Sequence, residues 1–374
     1  MGRALVITVL FGSFMNLSSA QEKGTVIFTL IYIALTMMVA VLFILVRLNQ
    51  KAPRWSQSEL IYSALVILLL IVNFFVASFN ELSMSIWASR ALHIPMTLVF
   101  LIIFRLGGLT AEQLMRMLFY LGILEMGVIY FTFLAGAGVD VARATDIDGV
   151  IIYSVLLVVG GFLCLHYYNS SGKTLYLLLY FAVLMATVLT GTRGLIVCVA
   201  IQILALRLSW VKIAVFFLAM LGTYNLLITG FLERFNISDQ DNVITVLSKF
   251  EELQILWNFF LSSPLWGVGF GTEYQISIAN SPYTYSHNAL LFYLGYGGLL
   301  ALPVLIAPLF SFMRTVPKGY LMFSSVMLFY TTSTSYTQLK HSLVMAAFVF
   351  IAAQLAKQRR ERNRQHVDSR SAIA

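Results

Sequence analysis

His287 is the residue of this chain best placed to do chemistry. It stands in Tyr285-Ser-His-Asn288, behind a polar stretch and at the mouth of an apolar run carrying Gly295-Tyr-Gly-Gly298. A neutral imidazole at such a boundary can take a proton from a hydroxyl group. At a helix N-terminus the dipole disfavours the imidazolium, so the ring is expected neutral near pH 7, with Ser286 as the helix cap. Asn288, next in the chain, is placed with it as a substrate-binding group. Arg193 is the second candidate, in Thr190-Gly-Thr-Arg-Gly194 between two apolar runs. Free backbone N–H groups, a helix dipole and a guanidinium converging on one spot favour a phosphate or diphosphate. Plainer readings stand beside both: a boundary histidine satisfied by water, and an arginine snorkelling to the membrane interface.

Arg90 and His93 lie three residues apart on one face of another apolar run. An arginine inside a membrane is costly and faces a cavity or a partner. Glu125 falls mid-run, where a hydrogen-bonded core carboxyl would look the same. Glu273 lies between the glycine run Gly267-Val-Gly-Phe-Gly271 and His287, close enough in sequence to share a site. No βαβ unit surrounds that run, so it is not a dinucleotide fingerprint. Gly269 and its neighbours are expected to let the backbone turn sharply beside a ligand. Arg234 and Lys249 are further cations on the same side.

These residues need a frame, and composition supplies it. The 374 residues are 60% hydrophobic and 11% charged, against about 45–50% and 25% in soluble domains. A hydrocarbon core about 30 Å thick takes about 20 apolar residues to cross, and its backbone must satisfy itself. The unbroken apolar runs exclude the alternation of a barrel. The expected fold is all-α: one polytopic membrane bundle, residues 1–374, of about 12 transmembrane helices. They are read at about 4–19, 24–46, 59–79, 84–104, 115–135, 147–166, 174–190, 194–208, 211–229, 287–312, 319–335 and 341–356. The first also resembles a secretory signal ending in Ser18-Ser-Ala20.

Charge sets the orientation. With the C-terminus inside, seventeen Lys and Arg residues fall on the cytoplasmic side and seven outside, as the positive-inside rule requires. The outer seven include Arg90, Arg193, Arg234, Lys249 and Lys340. The basic tail, about 357–374, reads as a topology anchor touching anionic lipid, and no nucleic-acid partner is expected. Cys164 and Cys198 sit at different depths, so no disulfide is expected, and no metal-ligand spacing exists.

One loop is long, about 230–286, on the outer face, and a loop of that length points to function. Within it Val243, Val246, Leu247, Phe250, Leu253, Trp257, Phe260 and Leu261 recur at helical spacing. The reading is an amphipathic helix that lies on the membrane or caps a cavity.

The order Thr-Arg-Gly, long outer loop, Ser263-Pro-Leu-Trp-Gly-Val-Gly-Phe-Gly271, then Ser286-His-Asn-Ala-Leu-Leu-Phe-Tyr-Leu-Gly-Tyr-Gly-Gly-Leu299 resembles the O-antigen ligase and O-antigen polymerase superfamily of bacterial inner-membrane glycosyltransferases. The resemblance covers roughly residues 187–312. It implies a C-type glycosyltransferase-like bundle and donors carried as glycans on undecaprenyl diphosphate at the periplasmic face. It implies no cofactor and no metal, because the diphosphate is already the leaving group. Carried onto this chain, His287 is the base or acceptor-orienting group and Arg193 binds the diphosphate. The chain departs from the pattern in one place. Relatives often carry an arginine shortly before the loop tryptophan, but here Leu253 lies four residues before Trp257, and Lys249, Arg234 and Arg90 are the alternatives for the second cation.

Polymerase and ligase share a donor and differ in acceptor: another lipid-linked repeat unit, or the lipid A core. The polymerase is favoured because the chain is compact and adds little to a bare bundle. A chain-length regulator or a flippase would be its partner proteins, besides membrane lipid. A transporter of about twelve spans is the alternative from another class, but no paired mid-membrane interruption is visible in the sequence.

Overall fold

The computed structural model describes residues 36–38, 40–41, 55–135, 155–190, 193–206, 240–276, 281–283, 288–332 and 339–371. Apart from one small hairpin, every regular element among them is helical. The helices are α1 (Gln57–Phe79), α2 (Met84–Ala91), α3 (His93–Leu106), α4 (Ala111–Ala135), α5 (Val155–Ser171), α6 (Thr174–Leu189), α7 (Arg193–Ala200), α8 (Gln240–Ser262), α9 (Ala289–Thr315), α10 (Gly319–Thr332) and α11 (Leu339–Ser371). A 3₁₀ turn, Ile201–Ala205, extends α7, and β1 (Tyr274–Ile276) pairs antiparallel with β2 (Ser281–Tyr283).

Five helical stretches are long and apolar enough to cross a membrane: Gln57–Phe79, Met84–Leu106, Ala111–Phe131, Ala289–Thr315 and Lys340–Gln365. Four shorter apolar helices accompany them, at Val155–Ser171, Thr174–Leu189, Gly194–Ala205 and Gly319–Thr331. Each coincides with a span expected from hydropathy. Of the remaining expected spans, 4–19 and 211–229 lie outside the described residues, and 24–46 is described only at 36–38 and 40–41.

The elements begin and end where local chemistry dictates. Ser56 caps α1 in a reciprocal box: its Oγ accepts from the Glu59 amide at 3.3 Å, and Glu59 accepts from the Ser56 amide at 2.7 Å, satisfying two of the donors a helix start leaves open. Glu59 also faces Arg105 at 3.6 Å, tying the first turn of α1 to the last turn of α3. In α11 side chains are buried from 340 to 353 and exposed from 357 to 365. The basic tail is therefore a helical continuation past the bundle, about 50 Å in all for 33 residues.

α9 is not the unbroken span the sequence suggests. Gly298 takes φ 63° and ψ −162° inside it, a conformation that only glycine adopts without strain. The break frees backbone groups of α9, and the glycine run takes them up. Val268 N–H donates to Gly295 O at 2.9 Å, Gly269 N–H to Tyr296 O at 3.0 Å, and Leu299 N–H to Pro264 O at 2.8 Å. The approach is so close that a Cβ on Gly267 would stand 2.2 Å from the Tyr296 carbonyl carbon, and one on Gly298 would stand 2.4 Å from that of Leu265. The transporter reading expects paired interruptions. Among the described residues the structure shows this break at Gly298, whereas Leu92 between α2 and α3 keeps helical φ −55° and ψ −34°.

The two ends of the bundle differ chemically. One carries Glu59, Arg105, Lys173, Arg314 and Lys318, where Lys318 donates to Ala205 O and Arg359 donates to Thr315 O at 2.8 Å. The other carries the glycine run, the start of α9 and the start of α11.

Candidate functional site

At that second end, α1 contributes an asparagine in an otherwise apolar stretch. Asn73 is fully buried. Its Nδ2 donates to Tyr296 O at 2.8 Å, while its Oδ1 accepts from Trp87 Nε1 at 2.9 Å and from Phe270 N at 3.0 Å. One side chain thus fastens α1 to α2, to the glycine run and to the break in α9. A buried amide is tolerated when its donors and acceptor are used in this way.

Arg90, on α2, is also buried. Its Nη1 donates to Thr272 O, to Phe270 O at 3.3 Å and to the Tyr296 hydroxyl at 3.2 Å, and the guanidinium carbon lies 5.2 Å from the Tyr296 ring centre. The expected cavity-facing cation is here turned onto the glycine run and α9. Tyr296 is seven residues into α9, about 10 Å from its first turn along the axis.

α8 covers this group, and it does so with a face the apolar spacing did not suggest. Leu247, Phe250, Trp257 and Leu261 are exposed. The packed face carries Ser248, Glu252, Leu256 and Phe259. Glu252 is only 1% exposed and accepts from the Tyr274 hydroxyl at 3.4 Å. Burial, and then the Glu252 charge, push the Tyr274 phenol well above its usual range, so it remains a donor. Phe259 stands edge-on to both Tyr274 and Tyr296, at 6.2 and 5.7 Å. The outward apolar stripe suits an interfacial helix, while the inward face closes a buried polar group of Glu252, Tyr274, Tyr296 and Arg90. Tyr274→Phe is expected to cost about 1 kcal/mol by removing one hydrogen-bond donor from Glu252. Thermal unfolding followed with a thiol-reactive dye checks it, because Cys164 and Cys198 are both buried. An unchanged midpoint would show that Glu252 does not depend on this hydroxyl.

The start of α9 is held separately. Its cap is Asn288, not Ser286: Asn288 Oδ1 accepts from Leu291 N at 2.9 Å, because the helix opens at Ala289 and Asn288 takes the extended cap conformation. Asn288 Nδ2 donates to Thr331 O at 3.2 Å, joining α9 to the end of α10. Arg193 opens α7. Lys318, before α10, bonds the end of the 3₁₀ turn after α7; α7 and α10 therefore run antiparallel, and Arg193 begins at the same end of the bundle as Thr331.

His93 stands edge-on to Tyr293 at 6.3 Å, and its carbonyl accepts from Ser342 Oγ. His341, beside Ser342, stands edge-on to Tyr330 at 5.5 Å. Lys340 meets Glu125 at 2.8 and 3.1 Å, with both side chains at most 3% exposed. The mid-span carboxyl of the sequence is thus one half of a buried ion pair, and Lys340 is not an exposed outer cation.

Among the residues singled out from sequence, the structure brings Arg90 and Gly269 onto one assembly. Gly269, at φ 94°, packs against Leu82 and Val76. Asn288 lies at the neighbouring helix start. Lys249 and Glu273 are on the exposed side. His287 and Arg234 lie outside the described residues, and for Arg193 the backbone alone is described. Sequence reasoning missed Asn73, Glu252, Tyr274, Tyr296 and His341. A polar residue in an apolar run was a signal for Asn73, and Lys340-His-Ser342 at a helix start was one for His341. Comparison with protein-family models and with curated proteins finds no match.

Proposed function

We propose that this chain is a multi-pass bacterial inner-membrane glycosyltransferase that polymerises undecaprenyl-diphosphate-linked repeat units of O-antigen or another surface polysaccharide at the periplasmic face. The observation that carries the reading is the order of motifs, Thr-Arg-Gly followed by the glycine run and then Ser-His-Asn with Gly295-Tyr-Gly-Gly298. The packing supports it. Two of those motifs, the glycine run and the glycines of α9, bind each other backbone to backbone, as parts of one assembly. His287 directly precedes the Asn288 cap, where the unpaired amides of α9 begin, and Arg193 opens α7 at the same end.

In this mechanism the bundle has about twelve spans and a C-type architecture. The Arg193 guanidinium and the amides beside it take up charge as the diphosphate departs, the largest electrostatic contribution in such transfers. His287 accepts the proton of the acceptor hydroxyl. Arg90 bonds the glycine run and Tyr296, so its role is to hold α9 and the run together, leaving Lys249 and Arg234 as the candidates for a second phosphate-binding cation. The alternative is a ligase that passes the same glycan to the lipid A core. A deletion strain tests both on a lipopolysaccharide gel. A band of core plus one repeat in place of the ladder means polymerase. Bare core with polymer held on the lipid carrier means ligase. Intact glycans of every class would end the glycosyltransferase reading.

A further inference from the structure

The opposite, basic end of the bundle holds a hollow that the proposed transfer does not use. It lies between α4, α5, the α9–α10 turn and α11. Met115, Val316 and Leu355 form its apolar part, and His166, Arg359 and Arg362 its polar part. Met115 and Val316 are buried, whereas Arg359 and Arg362 are exposed. The hollow is therefore greasy at its base and cationic at its lip.

Arg359 is fixed there. Its Nη2 donates to Thr315 O at 2.8 Å and its Nη1 to Arg314 O at 3.4 Å, so the last carbonyls of α9 orient the guanidinium beside the opening. Arg362, one turn further along α11, carries its charge on the same side. The carboxylates described at this end are already engaged. Glu59 faces Arg105 at 3.6 Å, Glu112 pairs with Arg116 at 2.9 Å, and Glu361 pairs with Lys357 at 3.8 Å. Arg314, Lys318, Arg359, Arg360, Arg362 and Arg364 remain in excess.

We propose that this hollow binds the headgroup of one acidic phospholipid from the leaflet at the basic end of the bundle. Its phosphate lies between Arg359 and Arg362, and its glycerol and upper acyl carbons lie against Met115, Val316 and Leu355. Arginine forks suit phosphate oxygens, and basic pockets between spanning helices take acidic headgroups. A free phosphate ion would use the same arginines but would leave the apolar base uncovered, so the lipid fits better. The occupied site would staple α11, where it leaves the bundle, to α4, α5 and α9.

Native mass spectrometry of the full-length protein, released from detergent after incubation with phosphatidylglycerol or phosphatidylcholine, tests this. Phosphatidylglycerol should be retained and phosphatidylcholine lost. Arg362→Gln, on an exposed turn, should weaken retention roughly fivefold, and Arg359→Gln with Arg362→Gln should abolish it. Equal retention of the two lipids would overturn the proposal, as would retention that neither variant changes. Inorganic phosphate alone raising the unfolding midpoint as much as phosphatidylglycerol would assign the site to a free ion instead.

Discussion

Replacing His287 by alanine is expected to abolish polymer of normal length while leaving the protein in the membrane at its usual level. A positioned general base contributes about 10²–10⁴-fold, and polymer length compounds the loss because each added repeat needs the same step. The readout is the polysaccharide ladder from a deletion strain carrying the variant, with an immunoblot of membranes beside it. His287→Gln keeps a polar side chain but cannot accept the proton, so it should fail like alanine. The start of α9 is fixed by the neighbouring residue: Asn288 caps that helix and reaches Thr331. A normal ladder from His287→Ala would remove the residue from the mechanism.

Lys340→Met is the second large effect, and it falls on stability. Lys340 and Glu125 lie 2.8 Å apart and are at most 3% exposed. Removing the ammonium strands a carboxylate in a medium that cannot solvate it, at a cost of about 3–5 kcal/mol. Glu125→Leu with Lys340→Met removes both charges and should recover most of that loss, since well-packed apolar pairs often equal buried ion pairs. Dye labelling of Cys164 and Cys198 on heating reports both variants. If Lys340→Met melts with the wild type, the pair contributes nothing to folding. Full activity in the stable double variant would assign Glu125 a structural role only.

A structural change and a chemical one are thus separable in this chain. Variants at Asn73, Tyr274 or Arg90 act on the assembly around the break in α9 and should lower stability together with activity. Variants at His287 should move activity alone.

Hydropathy in the sequence determined that the chain is helical, with stretches long and apolar enough to cross a membrane, and where most of its described helices lie. A hydrocarbon core demands long apolar runs with internally satisfied backbone, so span positions are written in composition alone. The helix over Gln240–Ser262 was legible for a similar reason, in residues recurring every three or four positions. Which face it packs was not. The outward stripe of Leu247, Phe250, Trp257 and Leu261 is as apolar as a core, because in a membrane both sides of a helix can be apolar; only packing showed Glu252 and Leu256 turned inward. The break at Gly298 was legible as glycines without their purpose. The hydrogen bonds it releases are claimed by a loop about thirty residues earlier, and no local pattern encodes such a pairing. Glu125 with Lys340, and Arg90 with Thr272, are distant in sequence, so each reads singly from sequence, as a core carboxyl and as outer or cavity-facing cations. Burial gave each its partner, because a charge removed from water persists only where another group replaces that water.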